Sequence, residues 1–305
     1  MSSLTKVMIS PHIHGGKSTS GIMRDVILAL LPATVAGIVI FGIGALIPVI
    51  VCVACCVGFE ALFNAITKKE QTVGDLSSAV TGLLLALNLP ANVPIWQCVV
   101  GSLFAIVIVK CLFGGIGCNL VNPAITARVF MLVAFESMAV SAFPVDSVAS
   151  ATPLSSEQLP DLMTMFLGNY GGSIGETCTL ALVIGGVYLL CRKVITWHIP
   201  VVFIGTVFVF SLFVTGFDVN TALSLTMAGG VFIGAIFMAT DYVTSPFTAW
   251  GKVIFGLGAG LITCLIRYFG MYPEGVSFAI LFMNILTPYI NSWTRHKVFA
   301  TGGNK

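Results

Sequence analysis

Asp146-Ser-Val-Ala-Ser-Ala-Thr152-Pro-Leu154 lies in the one long polar interval of a chain that is otherwise strongly apolar. The interval, residues 144–176, contains four acidic residues and neither Lys nor Arg; the acidic residues are Asp146, Glu157, Asp161 and Glu176. A connection longer than about 12–15 residues without secondary structure is usually functional or disordered. We therefore interpret this interval as a functional loop, and the apolar runs on both sides as the frame that holds it.

The composition is that of a helical integral membrane protein. Of the 305 residues, 57% are hydrophobic and 9% are charged, and the mean hydropathy is +1.03. A soluble domain has about 25% charged residues. The apolar runs are continuous rather than alternating, which indicates helices and not barrel strands. The net charge of +2 gives no support for nucleic-acid binding, and the polar first 25 residues lack the apolar core of a cleavable signal peptide.

The nine cysteines lie in apolar runs or near their ends, and none has the paired spacing of a zinc site. Even Cys52-x-x-Cys55-Cys56 lies inside an apolar run. We expect these residues to pack as small apolar side chains and predict no metal site, with metal or redox chemistry as the alternative.

The apolar runs predict ten membrane passes, because a spanning helix needs roughly 20 apolar residues. The predicted passes are residues 26–44, 46–67, 76–89, 95–113, 122–142, 177–191, 198–216, 221–240, 253–270 and 274–293. The third pass is short, begins after the expected cap Asp75 and ends at Asn88-Leu-Pro90. This favours a half-helix.

The Lys and Arg residues predict the orientation. With the N-terminus in the cytoplasm, they fall at or near the cytoplasmic side, and Arg267 is the clear exception. The polar interval is then extracytoplasmic. The predicted order is a cytoplasmic segment (1–25), a first five-helix repeat (26–142), an extracytoplasmic loop (143–176), a second five-helix repeat (177–293) and a cytoplasmic tail (294–305) of a multi-pass protein in the cytoplasmic membrane.

The two halves have opposite orientations, as in inverted repeats, which build binding sites near the bilayer midplane from broken helices. Residues 81–90 resemble residues 230–241, since both are apolar, rich in Gly or Ala, and end in a polar, Pro-containing turn. Chance similarity between two membrane helices is the alternative. The fold class is therefore an all-α polytopic membrane protein with broken or re-entrant helices.

A first polar turn is Phe113-Gly-Gly-Ile-Gly-Cys-Asn-Leu-Val-Asn-Pro-Ala-Ile-Thr-Ala-Arg128. Its glycines allow positive φ, Asn119 and Asn122 can donate and accept hydrogen bonds, and Pro123 suits the first turn of a helix. At membrane depth, irregular backbone is tolerated only where it is buried in protein or lines a cavity. The turn is either a re-entrant element that faces a polar ligand or an ordinary cytoplasmic connection between helices.

Gly172-Ser-Ile-Gly-Glu-Thr-Cys-Thr179 opens the sixth pass. Ser173 and Glu176 have the spacing of a capping box, and a helix N-terminus also suits a phosphate; both interpretations can hold together.

Asp241-Tyr-Val-Thr-Ser-Pro-Phe-Thr248 is a third polar turn. Its hydroxyls and carboxylate suit a cation or a polar ring edge, and an ordinary capped turn is equally consistent with them. Asp75, Glu60 and Arg267 are ionisable groups in or near passes, which makes them functional candidates by default.

These stretches together resemble one family: the D subunit of the Rnf ion-translocating electron-transport complex, with its relative, the B subunit of the Na⁺-translocating NADH:quinone reductase. The resemblance extends over nearly the whole chain. Its motifs are Gly114-Gly-Ile-Gly-Cys-Asn-Leu-Val-Asn-Pro-Ala124, Gly172-Ser-Ile-Gly-Glu-Thr177 and Asp146-x-x-Ala-Ser-Ala-Thr152-Pro-Leu154.

The resemblance implies that Thr152 carries FMN through a phosphoester, attached by a flavin transferase outside the cytoplasmic membrane. The family motif is Asp-x-x-Ser/Thr-Gly-Ala-Thr, from which Ala149 and Ser150 depart while the Asp-to-Thr spacing is kept. Related proteins are thought to hold a second, unphosphorylated flavin, so the resemblance also admits non-covalent riboflavin, although no residue signature points to its site.

The implied function is that of a membrane component of an ion-translocating ferredoxin:NAD⁺ oxidoreductase, in which the flavin relays electrons and the chain of transfers drives Na⁺ or H⁺ export. The expected flavin-binding residues are Thr152, Asp146, Ser150, Asn119, Asn122, Arg128, Ser173, Glu176 and Thr177. The candidate ion-pathway residues are Asp75, Asp241 and Thr244. The expected partners are the A, B, C, E and G subunits of the Rnf complex, the flavin transferase and membrane lipid. Because no G-x-G-x-x-G fingerprint is present on a strand–helix unit, we expect a partner to bind NAD⁺.

Two other classes of function compete with this interpretation. One is a secondary transporter or channel of urea-channel-like fold without a redox cofactor, and the other is a scaffold. The motif that ends at Thr152 discriminates among them, because a channel does not need a modified Thr in an outside loop. A scaffold does not need three polar turns rich in Gly, Asn and Thr.

Overall fold

The computed structural model describes residues 18–135, 141–142, 149–150, 160–270 and 275–295. Asp146 and Thr152 lie outside these ranges. The helices are α1 (Thr19–Phe41), α2 (Leu46–Ile66), α3 (Ser77–Leu87), α4 (Ile95–Cys111), α5 (Pro123–Ala134), α6 (Leu162–Leu167), α7 (Thr179–Cys191), α8 (His198–Val214), α9 (Val219–Met227), α10 (Val231–Met238), α11 (Ala249–Phe269) and α12 (Val276–Thr294). Two-residue strands β1 (Ser141–Ala142) and β2 (Ala149–Ser150) pair antiparallel.

Each of the ten predicted passes corresponds to one helix or, for the eighth, to a pair of helices. The prediction of an all-α polytopic membrane protein is confirmed. Within the described ranges, three helical segments are by themselves long and apolar enough to cross a membrane: Thr19–Phe41, Ile43–Ile66 and Ala249–Phe269. The bent pair α9–α10 makes a fourth if it counts as one span. The helices α3, α4, α5, α7 and α8 have 10–17 residues each.

Several predicted boundaries differ from the observed ones for local reasons. The first helix begins earlier than residue 26, because the Ser18 hydroxyl accepts a hydrogen bond from the Gly21 N–H and caps it. The predicted fifth pass, 122–142, was too long: α5 ends at Ala134, since Phe135 is extended and Ser141 belongs to a strand.

The predicted eighth pass is broken. Its two halves, α9 and α10, meet at an angle of 64°. Ala228 is extended at the end of α9, and Gly229 and Gly230 have φ angles of 67° and 72°. Such positive φ angles are accessible to Gly without strain, so the sequence breaks the helix at this pair.

The predicted half-helix is α3, which is short and almost wholly enclosed. Ten of its 11 residues are buried. Asp75 Oδ1 accepts hydrogen bonds from the Ser77 N–H (2.8 Å) and the Ser77 hydroxyl (2.5 Å). The N-cap position itself is Leu76, with φ 63°, so the predicted cap is one residue early, although Asp75 does pair the first amide of the helix.

The packing partners repeat between the two halves. Between the halves, α1 packs on α7 and α5 packs on α12. Within the halves, α2 packs on α4 in the first and α8 packs on α11 in the second. Helix α3 contacts α1 and α5, and α10 contacts α7 and α12. Equivalent helices thus meet equivalent partners, as expected for two inverted repeats.

The apolar core joins both halves around α3. Leu85, Leu87 and Leu89 are fully buried in it. Cys52 and Cys98 belong to the same core, as predicted for small apolar packing residues. Helix α3 approaches α2 closely at Gly82, where an added Cβ would lie 2.7 Å from the Cys52 carbonyl oxygen and 2.8 Å from the Val53 Cα.

We therefore expect Gly82→Ala to destabilise the protein, because the new methyl group meets the backbone of α2. Overpacking of this kind costs about 1–3 kcal/mol. The matched control is Gly58→Ala on α2, where no atom lies within 4 Å of the added Cβ. The apparent melting temperature in detergent should fall for Gly82→Ala and hold or rise for Gly58→Ala, and equal melting temperatures would contradict the close approach.

Candidate functional site

A cavity of about 90 Å³ lies between the first turns of α3, the turn before α5 and the turn after α10. We call it the polar cavity. Its polar lining residues are Ser77, Thr81, Lys110, Asn119, Asn122, Thr240 and Asp241. Apolar side chains close the rest of the wall, among them Leu84, Ile116 and Phe237. The cavity combines two of the three predicted polar turns and lies at the predicted cytoplasmic end of α3.

The turn before α5 has the backbone that its glycines predicted. Gly114, Gly115 and Gly117 have φ angles of 117°, 97° and 87°. Asn122 caps α5, since its Oδ1 accepts from the N–H groups of Ala124 and Ile125 at 3.0 and 3.3 Å.

Asn122 and Asn119 have different roles in this turn. The Asn122 Nδ2 donates to the Met238 carbonyl at the end of α10 (3.3 Å), so its amide is used by the fold. The Asn119 Oδ1 is buried and has no hydrogen-bond partner among the described residues. Since buried polar atoms are usually paired, Asn119 is the side chain of this turn with an acceptor left for a ligand.

The turn after α10 is both a capped turn and a cavity wall. The Thr244 hydroxyl donates to Asp241 Oδ2 at 3.1 Å, and the Thr287 hydroxyl donates to the Thr244 carbonyl at 2.9 Å. Asp241 is half-buried, and the loss of water around it raises the pKa of its carboxyl, which the Thr244 hydrogen bond opposes. Asp241 lines the cavity, whereas the predicted ion-pathway residue Thr244 is engaged in holding the turn.

An ion pair closes the polar cavity on the side of α2 and α4. Lys110 Nζ lies 2.8 Å from Glu60 Oε1 and donates to the Ser77 hydroxyl at 2.6 Å. Both charged side chains are 2% exposed. The Thr72 hydroxyl donates to Glu60 Oε1 at 2.8 Å. Lys110 is carried by the π-helical second half of α4, Phe104–Cys111, a geometry that is often found at functional sites.

The chain matches the model of the NQR2, RnfD, RnfE family over residues 6–300. The chain belongs to this family. It is 45% identical to the D subunit of the Na⁺-translocating ferredoxin:NAD⁺ oxidoreductase complex of Acetobacterium woodii, over 96% of this chain and 95% of that protein. It is 42% identical to the D subunit of the proton-translocating ferredoxin:NAD⁺ oxidoreductase complex of Clostridium ljungdahlii, with the same coverage. The D subunit of the ion-translocating oxidoreductase complex of Haemophilus influenzae is 33% identical over 98% of this chain.

In this member of the NQR2, RnfD, RnfE family, the turn 172–177 lies at the other end of α3. The N–H groups of Ile174 and Gly175 donate to the carbonyls of Leu89 and Leu87 at 3.0 and 2.8 Å. The Ser173 N–H donates to Glu176 Oε1 at 2.8 Å. The capping-box prediction was wrong in one respect, because α7 begins only at Thr179, after Cys178. The Ser173–Glu176 bond closes a separate turn. The N–H groups of Ser173, Ile174 and Gly175 are already paired and are not open to a phosphate.

Arg267, the exception to the predicted charge distribution, has a structural partner at the break between α9 and α10. Its guanidinium donates to the carbonyls of Leu225, Ala228 and Gly229 at 3.0, 2.8 and 3.0 Å. On the other side of the break, a Cβ at Gly230 would lie 3.0 Å from Glu176 Oε2. A cation at the C-terminus of one helix and an anion at the N-terminus of the next both suit the helix dipoles.

The predicted site residues within the described ranges lie in four places. Asn119, Asn122 and Asp241 lie together at the polar cavity, and Asp75 is one hydrogen bond away through Ser77. Ser173, Glu176 and Thr177 lie at the far end of α3, about 15 Å away along ten residues of helix. Arg128 is buried in α5 and is not a lining residue of the polar cavity. Ser150 pairs with Ser141 in the two-residue sheet.

Sequence reasoning identified Glu60 but missed its partner Lys110, which it counted as one of the positive charges near the cytoplasm. The signal for this family member was a single Lys inside an apolar run, with the acidic Glu60 inside another. A buried charge needs an opposite charge nearby. That rule could have suggested the pair, although only the fold shows that α2 and α4 pack together.

We expect Lys110→Met alone to be strongly destabilising, by about 3–5 kcal/mol, because it leaves the Glu60 carboxylate buried without its counter-charge. The double substitution Lys110→Met with Glu60→Gln should restore most of the loss, since no net charge remains. Apparent melting temperatures of the purified variants measure both effects. A double variant no more stable than Lys110→Met would mean that the two side chains are not energetically coupled.

Proposed function

We propose that this chain is the flavin-bearing membrane component of an ion-translocating ferredoxin:NAD⁺ oxidoreductase complex. The observation that carries the proposal is the near full-length match to the D subunits of such complexes, at 45% and 42% identity. One of those relatives is named for Na⁺ and the other for protons, so the proposal covers either ion. Its partners would be the A, B, C, E and G subunits of the complex, and a flavin transferase.

The covalent cofactor in this proposal is FMN on Thr152. The support is the motif from Asp146 to Thr152, with its Asp-to-Thr spacing. Thr152 and Asp146 lie outside the described residues, while Ser150 of the same motif belongs to the short β2 strand. A covalent bond to the hydroxyl would hold the flavin in place in every oxidation state, and its environment would set its electronics.

In-gel fluorescence of the denatured chain tests this attachment. Wild type, Thr152→Ala and Ser155→Ala are expressed with an active flavin transferase. We expect fluorescent bands for wild type and for the matched control Ser155→Ala, a hydroxyl residue just after the motif, and a dark band for Thr152→Ala, because only Thr152 would supply the ester oxygen. A dark wild-type band, with the transferase shown to be active on another substrate, overturns the covalent FMN.

We further propose that the polar cavity binds a non-covalent flavin, riboflavin in the simplest case. The lining fits the polar edge of a flavin ring in its chemistry: Asn119 has an unpaired buried acceptor, and Thr240 and Asp241 lie in the same wall. The enclosed volume of about 90 Å³ is smaller than the roughly 300–1,000 Å³ of a typical ligand pocket. A ring would therefore occupy the mouth as well, where the side chains of Ile116 and Tyr242 are exposed.

The bound flavin would supply one- and two-electron transfer, and this chain would supply the environment. Asn119 would orient the ring by a hydrogen bond to its polar edge. Leu84 and Phe237 would exclude water from its apolar face. The Asn122 bond to the Met238 carbonyl would hold the turn before α5 on the end of α10, and the Thr287 bond to the Thr244 carbonyl would hold the turn after α10 on α12.

Asn119→Ala should lower the amount of extractable flavin in the purified protein, because one hydrogen bond to the ring is lost. Such a loss corresponds to roughly tenfold weaker binding. The matched control is Asn220→Ala, an exposed Asn at the start of α9. Flavin released into the supernatant after denaturation is measured by fluorescence. Equal release from wild type and Asn119→Ala would contradict this placement.

The channel or transporter alternative is favoured by the same broken helices, α3 and α9–α10. The two flavin measurements separate it from the electron-transfer proposal. A wild-type chain with neither covalent nor extractable flavin would make the channel the better explanation.

A further inference from the structure

The Lys110 ammonium has a donor to spare at the wall of the polar cavity. An ammonium has three N–H donors. Two are used, on Glu60 Oε1 at 2.8 Å and on the Ser77 hydroxyl at 2.6 Å. Within the described ranges no further acceptor contacts Nζ. Lys110 and Ser77 both line the cavity, whereas Glu60 does not. The positive member of the ion pair is thus the one that a cavity ligand would meet.

Burying this ion pair between α2 and α4 carries a large cost in desolvation free energy. Both side chains are 2% exposed within apolar helices. Replacing a buried ion pair by apolar residues of similar volume is often neutral or stabilising, and charges at membrane depth are functional candidates by default. Packing alone therefore does not account for a Lys and a Glu at these positions.

The lining of the polar cavity carries one positive and one negative side chain within the described ranges. Lys110 is the cation and Asp241 is the acid. The Asp241 carboxylate already accepts a hydrogen bond from Thr244. Glu60 is not a lining residue of the cavity. Its Oε1 accepts a hydrogen bond from the Lys110 ammonium and another, at 2.8 Å, from the Thr72 hydroxyl.

We propose that Lys110 is the charge-compensating residue for a ligand ring that becomes anionic when it is reduced in the polar cavity, and that Glu60 positions it. This inference rests on the non-covalent flavin proposed above. A flavin ring in this cavity would carry one negative charge after it had accepted two electrons from a reduced flavin of the complex and one proton from water. A cation in a site of low dielectric constant favours that charge, so Lys110 would raise the reduction potential of the ring.

The test is a spectroelectrochemical titration of the full-length chain with its bound flavin. All variants carry Thr152→Ala, so that covalent flavin does not contribute. In the double variant Lys110→Met/Glu60→Gln, we expect the reduction equilibrium constant to fall by at least tenfold, which is a downward shift of about 30 mV for a two-electron couple. Lys110→Arg keeps the charge and should keep the parent midpoint.

The matched control removes another ion pair that does not line the cavity. Arg192 and Asp25 are 3.2 Å apart at the ends of α7 and α1. The double variant Arg192→Met/Asp25→Asn should leave the midpoint unchanged while lowering the melting temperature.

The outcomes distinguish a failure of the Lys110 role from a failure of the cavity flavin. If flavin is bound and Lys110→Met/Glu60→Gln changes the melting temperature but not the midpoint, the ion pair is purely structural and the role of Lys110 is overturned. If the parent chain releases no flavin on denaturation, the proposed cavity cofactor fails, and the role of Lys110 fails with it. If Lys110→Met/Glu60→Gln does not fold, Lys110→Gln/Glu60→Gln takes its place, because two amide side chains can hydrogen-bond to each other while the positive charge is removed. Its midpoint should fall by a similar amount, and a midpoint that stays or rises overturns the proposal.

Discussion

Every helix interruption in this protein exposes backbone donors and acceptors to an apolar interior, and each must be paired inside the protein. Arg267 provides this at the break of the eighth predicted pass, where it binds three carbonyls at the end of α9. Asp75 provides it at the start of α3. The end of α3 is paired by the amides of Ile174 and Gly175, which lie in the segment between the two halves of the chain. The polar turns are therefore parts of the fold before they are candidate binding sites.

Hydropathy and local turn chemistry could predict most of the helices. The number of passes, the half-helix α3 and the positive φ angles of the Gly turn all depend on residues close together in sequence. The sequence identified Asn119 and Asn122 as flavin-binding candidates and Asp241 as an ion-pathway candidate, and the fold brings all three into one cavity. Hydropathy did not find the bend at Gly229 and Gly230, because small apolar residues continue the hydrophobic pattern across it.

Contacts between distant segments were beyond local reasoning. The Lys110–Glu60 pair joins residues 50 positions apart, and Arg267 binds carbonyls about 40 positions away. Ser173 and Glu176 matched a helix-start pattern, yet tertiary contacts with the end of α3 use the neighbouring amides and delay α7 to Thr179. A pattern of two residues cannot show which segment will compete for the same donors.

The shortness of α3 has an electrical consequence. Its 11 residues correspond to a layer about 16 Å thick, roughly half of an ordinary hydrocarbon core of about 30 Å. The polar turns at both ends of α3 have a higher dielectric constant than lipid. A transmembrane voltage would therefore fall mainly across the thin layer between them. An elementary charge moved from one end of α3 to the other would then sense most of that voltage, up to about 2.3 kcal/mol per 100 mV. The half-helix would thus be the insulating layer across which the voltage acts. The free energy of moving a charge between its two ends would depend directly on the membrane voltage.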